Sequence, residues 1–503
     1  MTRDASAIGA GLAPARDARP IRAGERIHVV GAGGAGASAA ALLAAGAGAI
    51  VTACDAAGPS PYTAAVANAG IDLVTGHDPA HVTSEPRPGR LAVTKALTAI
   101  DPDHRELRAA RELGIPVEPW QQVIADAAVG RTLVAIAGTH GKSTTAGWLV
   151  HVLAEAGRDP SAFVGALLPP TLTGGAAATA RIGQGDAFIV EADEYAGNFD
   201  AYRPAIAVLT SIEWDHPDVF ADEAAVRASF VRWLGAMPPG GVVVANAADP
   251  AVAAILSRPE LAGLKVIETG VDQAAEPTKG GIRATVIDAG TTGTTLAVTG
   301  LDGSGTLEVR LPTAGRHNAA NALGVAGAAK VLGVATDAIV RGLQTFPGVG
   351  RRLERKGEIG GVVVYDDYGH HPTAIRATIE AVRQREPHRR VWAVYEPLTY
   401  HRTAALIAEF AASLATADGV VIADIWAGRD PDTTIASASA LADAVAAERS
   451  DIPIAAPGSV DVTTDWLARE VRAGDVVLVM GGGHSYRIAR DLLERLDMET
   501  AAR

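Results

Sequence analysis

Short apolar runs recur along the chain, each followed by a glycine- or acid-containing loop and then by an Ala-rich or amphipathic stretch. That alternation predicts parallel strands joined by helices. The first run, Ile27-His28-Val29-Val30, leads into Gly31-Ala32-Gly33-Gly34-Ala35-Gly36 and an Ala-rich helix. A second strand, Ile50-Val51-Thr52-Ala53-Cys54, ends at Asp55 and completes a βαβ unit. Residues 105–113 read as a helix and Ile115-Pro116-Val117 as a strand, and the first series closes near Gly130. A second series starts with a strand over 132–137 and continues with strands over 187–190 and 205–210. Residues 280–311, rich in Gly and Thr with short alternating runs, predict a small antiparallel patch, and residues 318–332 a helix. A third series begins near Phe346, with strands over 362–365, 391–395, 419–423 and 476–480 forming another parallel sheet.

The expected architecture is therefore α/β in three domains. These are a Rossmann-like N-terminal domain over 25–130, a central P-loop ATPase-like domain over 131–346, and a C-terminal Rossmann-like domain over 347–503. Length agrees, since 503 residues exceed one core at about 150 residues per domain. Residues 1–24 mix Arg, Asp, Pro and Gly without the apolar core of a signal peptide, and read as a disordered tail. A net charge of −13 repels phosphate backbones and argues against nucleic acid as a partner. The single cysteine, Cys54, rules out an internal disulfide and fits a reducing compartment. No strongly apolar run of about 18 residues occurs, so no membrane insertion is expected. A cytoplasmic protein, monomeric or homodimeric, is the expectation.

Candidate chemistry lies at the ends of the apolar runs. Gly138-Thr139-His140-Gly141-Lys142-Ser143-Thr144 follows a strand and opens a helix. Glycines let backbone N–H groups wrap phosphates, lysine adds charge, and a hydroxyl can ligate Mg²⁺. Ile136 stands where the full P-loop signature has its first glycine. Glu191-Ala192-Asp193-Glu194 crowds three acids at a strand end, which needs a compensating cation, Mg²⁺ in a nucleotide site. Ser211-Ile212-Glu213-Trp214-Asp215-His216-Pro217-Asp218 follows a third strand and could bring His216 to a second metal. The turn over 31–36 reads as a phosphate-binding loop, of a kind that serves nicotinamide cofactors, flavins and nucleotide-sugars alike. Asp55 stands where a ribose contact or a turn-forming Asp would stand. Asp366-Asp367-Tyr368-Gly369-His370-His371-Pro372 closes a strand of the third domain, and suits a metal cluster or a functional loop.

Taken in order, these segments resemble the Mur ligases of peptidoglycan synthesis, and within them the alanine-adding branch. Gly315-Arg316-His317-Asn318-Ala319-Ala320-Asn321, Phe346-Pro347-Gly348-Val349-Gly350-Arg351-Arg352 and the run over 474–483 complete the set, and the likeness spans about residues 27–490. The resemblance implies ligation of L-alanine to the carboxylate of UDP-N-acetylmuramate through an acyl-phosphate, with ATP and Mg²⁺. It implies that Lys142 holds the ATP phosphates within the 138–144 loop, and that Ser143 and Glu191 bind one Mg²⁺ and His216 a second. Asn318 and Asn321 would contact adenine, and Arg351 and Asp366 would reach the nucleotide on domain closure. Gly33, Gly34, Ala35, Gly36 and Asp55 would hold the UDP-sugar, and Tyr368, His370 and Arg402 the amino acid.

No lysine occurs between His216 and Lys265, where the ligases adding later amino acids carry a carbamylated one. That favours the alanine-adding branch. Two departures stand against the pattern. Leu398 and Thr399 occupy the place of the branch's His-Arg pair, leaving Arg402 as the second arginine. Val93-Thr94-Lys95-Ala96 lacks the usual paired serines of the sugar domain. Asp193-Glu194-Tyr195 also resembles the murein-peptide ligases, which attach a recycled tripeptide to the same UDP-sugar. A nicotinamide dehydrogenase and a non-catalytic binding protein remain as readings of other classes.

Overall fold

The computed structural model describes residues 5–272, 280–303, 305–428, 430 and 432–501. Three sheets follow one another along the chain. The first is fully parallel and runs, edge to edge, Asp72–Thr75, Ile50–Asp55, Arg26–Val30, Arg90–Val93 and Val117–Pro119. The strand expected over 115–117 thus forms two residues later, with the Pro116 carbonyl already accepting the Leu91 N–H at 2.9 Å. The glycine-rich turn caps the helix Ala35–Gly46, whose Ala-rich face is buried. A side chain at Gly36 would collide with the Trp120 ring, so the helices Ala35–Gly46 and Trp120–Ala127 pack at close range there.

The central sheet has ten strands. Its middle is Val242–Asn246, Ile206–Leu209, Thr132–Ala137 and Ala187–Ala192, all parallel. The antiparallel patch expected over 280–311 is not separate. Its strands Ile282–Gly290, Gly293–Thr299 and Thr306–Leu311 extend the same sheet from Lys265–Val271. The helices Lys142–Glu155 and Arg316–Val331 pack together on one face, burying Trp148, Leu149, Leu323 and Val325.

The third sheet corrects the expectation of a purely parallel one. Glu354–Ile359 pairs antiparallel with Val362–Asp367 at its edge. The strand Glu-Arg-Lys-Gly-Glu-Ile carries no apolar run, because an edge strand can stay solvated on both faces. The remaining strands, Asp475–Gly481, Arg390–Glu396, Gly419–Ala423 and Ile454–Gly458, are parallel.

The reading of residues 1–24 as a disordered tail is also corrected for residues 5–24. Ile8 is fully buried beside Tyr195 and Ala196 of the central domain. Ala13 N–H donates to the Val117 carbonyl at 2.8 Å. Arg16 donates to Glu118 and Asp126, both at 2.8 Å. Composition suggested solvation, but Arg16 joins the buried Arg90 as a counter-charge to Glu118 and Asp126, two nearly buried acids of the first domain.

Candidate active site

Three adjacent parallel strands, Ile206–Leu209, Thr132–Ala137 and Ala187–Ala192, end together, and the chemistry-bearing loops leave from those ends. The loop after Thr132–Ala137 turns at Gly141, whose φ of +79° suits glycine, into the helix Lys142–Glu155. A side chain at Gly141 would strike the Asn321 amide, so Asn321 stands directly beside the loop.

Lys142 is folded back over its own loop. Its Nζ donates to the Gly138 carbonyl at 2.6 Å and to Glu194 Oε2 at 3.2 Å, with Asp193 Oδ1 at 3.5 Å. Burial works against its charge, but Glu194, Asp193 and Glu191 outweigh it and hold the ammonium above lysine's usual range. Glu194 is 1% exposed, and burial pushes its carboxyl up against the pull of Lys142. Its Oε1 has no hydrogen-bond partner among the described residues.

Ser143 Oγ donates to Glu191 Oε1 at 3.0 Å, and the Gly165 N–H donates to Glu191 Oε2 at 2.6 Å. Ser143 and Glu191, expected to share one Mg²⁺, are thus brought side by side. His216, at φ +57°, groups with Asp193 and Glu194, their ligand atoms lying within 4.8 Å of one another. Its acidic neighbours are Asp193, Glu194 and Asp215, whose Oδ2 lies 3.7 Å from Nε2, rather than Glu191. Thr139 and His140 meet the next strand's loop. The Glu213 N–H donates to Thr139 Oγ1 at 2.8 Å, and His140 Nε2 lies 3.2 Å from Glu213 Oε2.

The third domain closes over these loops. Arg352 donates to Ser143 Oγ at 2.8 Å. Arg402, 3% exposed, donates through Nε to Asp215 Oδ1 at 2.8 Å, and its Nη2 lies 3.2 Å from His216 Nδ1. Thr373 Oγ1 donates to Glu213 at 2.7 Å, and His371 Nε2 lies 3.2 Å from the Trp214 carbonyl. Burial holds His371 down at about 4, so it is neutral at physiological pH. His370 sits 3.9 Å from Asp215 Oδ2 and bonds the Tyr368 carbonyl through Nδ1 at 3.0 Å.

Several expected contacts go elsewhere. Arg351 is engaged inside its own domain, with Asp366 at 3.1 Å, the Gly481 carbonyl at 2.7 Å and Ser485 Oγ at 2.8 Å. The residue that reaches the phosphate loop is its neighbour Arg352. The Tyr368 ring lies under both guanidiniums, at 5.2 Å from Arg351 and 5.0 Å from Arg352. The Arg402 guanidinium is already committed to Asp215, where a free amino-acid contact was expected. Asn318 donates to the Ala314 carbonyl at 2.8 Å. A cleft of about 480 Å³ between the central and third domains is lined by His317, Ala320, Asn246, Asp249, Ala377 and Gln384, and not by Asn318 or Asn321. Asp55 spends both oxygens on the backbone, accepting from Gly33 at 2.8 Å and Ala57 at 2.9 Å. It is the turn-forming Asp.

Sequence reasoning missed the interdomain roles of Asp215, Arg352 and Gln384. The first two lay inside quoted motifs, where their partners on another domain could have been sought. Gln384 carries no sequence signal.

Three family models cover the chain in order. The Mur ligase family catalytic domain matches residues 26–132, the Mur ligase middle domain 136–329, and the Mur ligase glutamate ligase domain 351–483. A UDP-N-acetylmuramate–L-alanine ligase of Kineococcus radiotolerans is 39% identical over 94% of this chain and 96% of its own length. The enzyme of the same name from Mycolicibacterium smegmatis is 36% identical, with the same coverage. Among solved structures, a UDP-N-acetylmuramate–alanine ligase of Thermotoga maritima superposes with a TM-score of 0.76 at 22% identity, over 94% of this chain and 99% of that one. A murein peptide ligase of Psychrobacter arcticus gives 0.70 at 26% identity, with the same coverage.

Proposed function

This chain belongs to the Mur ligase family, and we infer from that membership that it joins L-alanine to the carboxylate of UDP-N-acetylmuramate at the expense of ATP. The observation that carries the chemistry is the convergence of Lys142, the three acids and His216 under a closed third domain.

A carboxylate is a poor acyl donor to an amine. Its oxygen attacks the γ-phosphorus of ATP, ADP leaves, and an acyl-phosphate forms. The alanine amine then attacks the acyl carbon, inorganic phosphate leaves, and the amine gives up a proton. We assign to Lys142 the outer phosphates, where its ammonium would exchange Glu194 and Asp193 for phosphate oxygens. Loop N–H groups from Gly138 to Ser143 cradle the chain of phosphates. Arg352 reaches the same end from the third domain and adds a second cation once that domain is closed. Arg402 is a positioning residue that holds Asp215 and the His216 ring.

Ser143 with Glu191, and Asp193 and Glu194 with His216, are the residues that would hold Mg²⁺. An unpartnered buried carboxylate oxygen on Glu194 and an oxygen-rich donor set fit a hard divalent cation. Bound there, Mg²⁺ would neutralise charge on the phosphates. The cleft lined by His317, Ala320 and Gln384 is the adenine site of this reading. The glycine turn at 33–36 is its UDP-sugar site. This reading makes the chain a cytoplasmic enzyme, since ATP and UDP-sugars are cytoplasmic. No helix among the described residues is long and apolar enough to cross a membrane.

The test is phosphate release with ATP, Mg²⁺ and UDP-N-acetylmuramate, across L-alanine, glycine, L-serine and a cell-wall tripeptide. Turnover is expected with L-alanine above the others. Turnover with the tripeptide alone would move the chain to the murein-peptide ligases.

A further inference from the structure

The first domain holds a second concentration of metal-ligating side chains, behind the glycine turn and apart from Lys142 and His216. Cys54 is the penultimate residue of the strand Ile50–Asp55, with its thiol buried. His28 Nε2 lies 3.3 Å from Cys54 Sγ, and His77 Nδ1 lies 3.2 Å from it on another side. Glu106, fully buried on the helix Arg105–Glu112, places Oε2 at 3.4 Å from the sulfur. His81 Nδ1 is 2.7 Å from Glu106 Oε1. One ligand atom from each of His28, Cys54, His81 and Glu106 falls within 4.8 Å of the other three.

We propose that these four side chains form a structural site for a borderline divalent cation of the Zn²⁺ class, with His77 beside it. A tetrahedral zinc with bonds of about 2.0–2.3 Å sets its ligand atoms roughly 3.3–3.8 Å apart. The His28–Cys54 and Cys54–Glu106 separations already fall in that range. One thiolate, two imidazoles and one carboxylate favour Zn²⁺ over Mg²⁺ or Ca²⁺. The second shell is in place as well. His28 Nδ1 lies 2.8 Å from Thr52 Oγ1, which aims Nε2 at the cluster, and the Asp78 N–H holds Glu106 Oε1 at 2.7 Å. His77 and His81 are 12% and 18% exposed and provide the entry path.

The imidazole and carboxylate states suit a cation, whereas the thiol must give up its proton to bind one. Burial holds His28 down at about 4, so its ring is neutral. Burial opposes the Glu106 charge, but His77, the Asp78 amide and His81 prevail and draw it down to about 2. Burial and Glu106 push the Cys54 thiol up. Binding therefore exchanges the Sγ–H proton, released to solvent, for a sulfur–metal bond. The ion would tie four elements together: the strands Arg26–Val30 and Ile50–Asp55 and the helices Ala80–Thr83 and Arg105–Glu112. It would also steady the glycine turn, because Gly31 and Ala32 donate to the Cys54 carbonyl at 2.9 and 3.0 Å.

The experiment uses tag-free full-length protein, stripped with a chelator and titrated with Co²⁺ and then Zn²⁺. Cys54 is the only cysteine in the chain, so a thiolate-to-cobalt charge-transfer band reports this site and no other. One equivalent of Co²⁺ with that band, bleached by one equivalent of Zn²⁺, is expected. Cys54→Ser should abolish the band. His81→Gln, at a partly exposed position where folding is not at stake, should weaken Zn²⁺ binding at least about tenfold. Circular dichroism checks that both variants are folded. Absence of the band in wild type overturns the proposal, as does zinc affinity unchanged in both variants.

Discussion

Lys142 lies among Glu191, Asp193 and Glu194, so its removal is the sharpest test at the level of single residues. Lys142→Ala should fold, since Glu194 can take up a proton in the space left behind. Turnover should fall by about a hundred- to a thousandfold or more, by analogy with one lost transition-state donor. Phosphate release at saturating ATP measures it, and wild-type kcat in a folded variant would remove Lys142 from the reaction. Arg402 calls for a different expectation. Its guanidinium sits on Asp215, itself 4% exposed. Arg402→Ala leaves that carboxylate uncompensated, at a cost of about 3–5 kcal/mol where the domains meet. Loss of kcat/KM should therefore extend to ATP and UDP-N-acetylmuramate as well as alanine. A rise confined to the alanine KM would make Arg402 a direct contact of the amino acid.

Legibility at this scale followed chain locality. Lys142, Ser143 and Glu191 stood out because each closes an apolar strand or opens the loop and helix after one, and parallel pairing brings such ends together. Asp55 could equally be a ligand or a turn former, and only the amides of Gly33 and Ala57 decide between them. Arg351 and Arg352 are adjacent and chemically alike. Which of them faces the phosphate loop depends on a backbone with φ +57° at Arg351, which no residue pattern announces.

Among the elements, strands with apolar runs were legible and the rest were not. Val362–Asp367 and Gly419–Ala423 are continuous buried runs, as central parallel strands must be. Glu354–Ile359 is charged and solvated, and nothing in its pattern marks a strand. The end of one legible strand makes a pH prediction. Glu396 closes Arg390–Glu396 at 2% exposure and accepts the Ser485 N–H at 2.6 Å. Burial overrides that bond and pushes its carboxyl up to about 7, against 4.5 in the open chain. The folded state therefore keeps a proton that the unfolded chain gives up. The stability tied to that proton is complete below pH 4.5 and is lost as pH rises through 7. Glu396→Gln stays neutral and keeps an acceptor for Ser485. Relative to wild type, the variant should gain up to about 3 kcal/mol between pH 5 and pH 8. Urea unfolding at the two pH values checks this, and parallel slopes would acquit Glu396.

On the proposed mechanism the third domain must stay closed, because an acyl-phosphate open to water is hydrolysed before an amine can reach it. One side chain outside the phosphate loop joins the central and third domains at four points. Gln384, near the end of the helix Pro372–Arg385, accepts the Gly315 N–H at 2.9 Å. Its amide lies 3.1 Å from the Gly290 carbonyl, 3.0 Å from the Gly293 carbonyl and 3.1 Å from Thr294 Oγ1. Net contributions of about 0.5–1.5 kcal/mol per hydrogen bond, shared among competing acceptors, give the latch roughly 1–3 kcal/mol. Gln384→Ala should shift the closure equilibrium by about five- to a hundredfold. It should leave Lys142, His216 and Arg402 in place. Because Gln384 also lines the cleft beside His317, a raised ATP KM alone would not separate holding the domain from touching the nucleotide. The ratio of phosphate released to amide formed does separate them. A looser third domain lets water reach the acyl-phosphate, so the ratio should rise well above one in the variant and stay near one in wild type. A ratio of one with a raised KM would confine Gln384 to nucleotide binding and leave closure to Arg352 and Arg402.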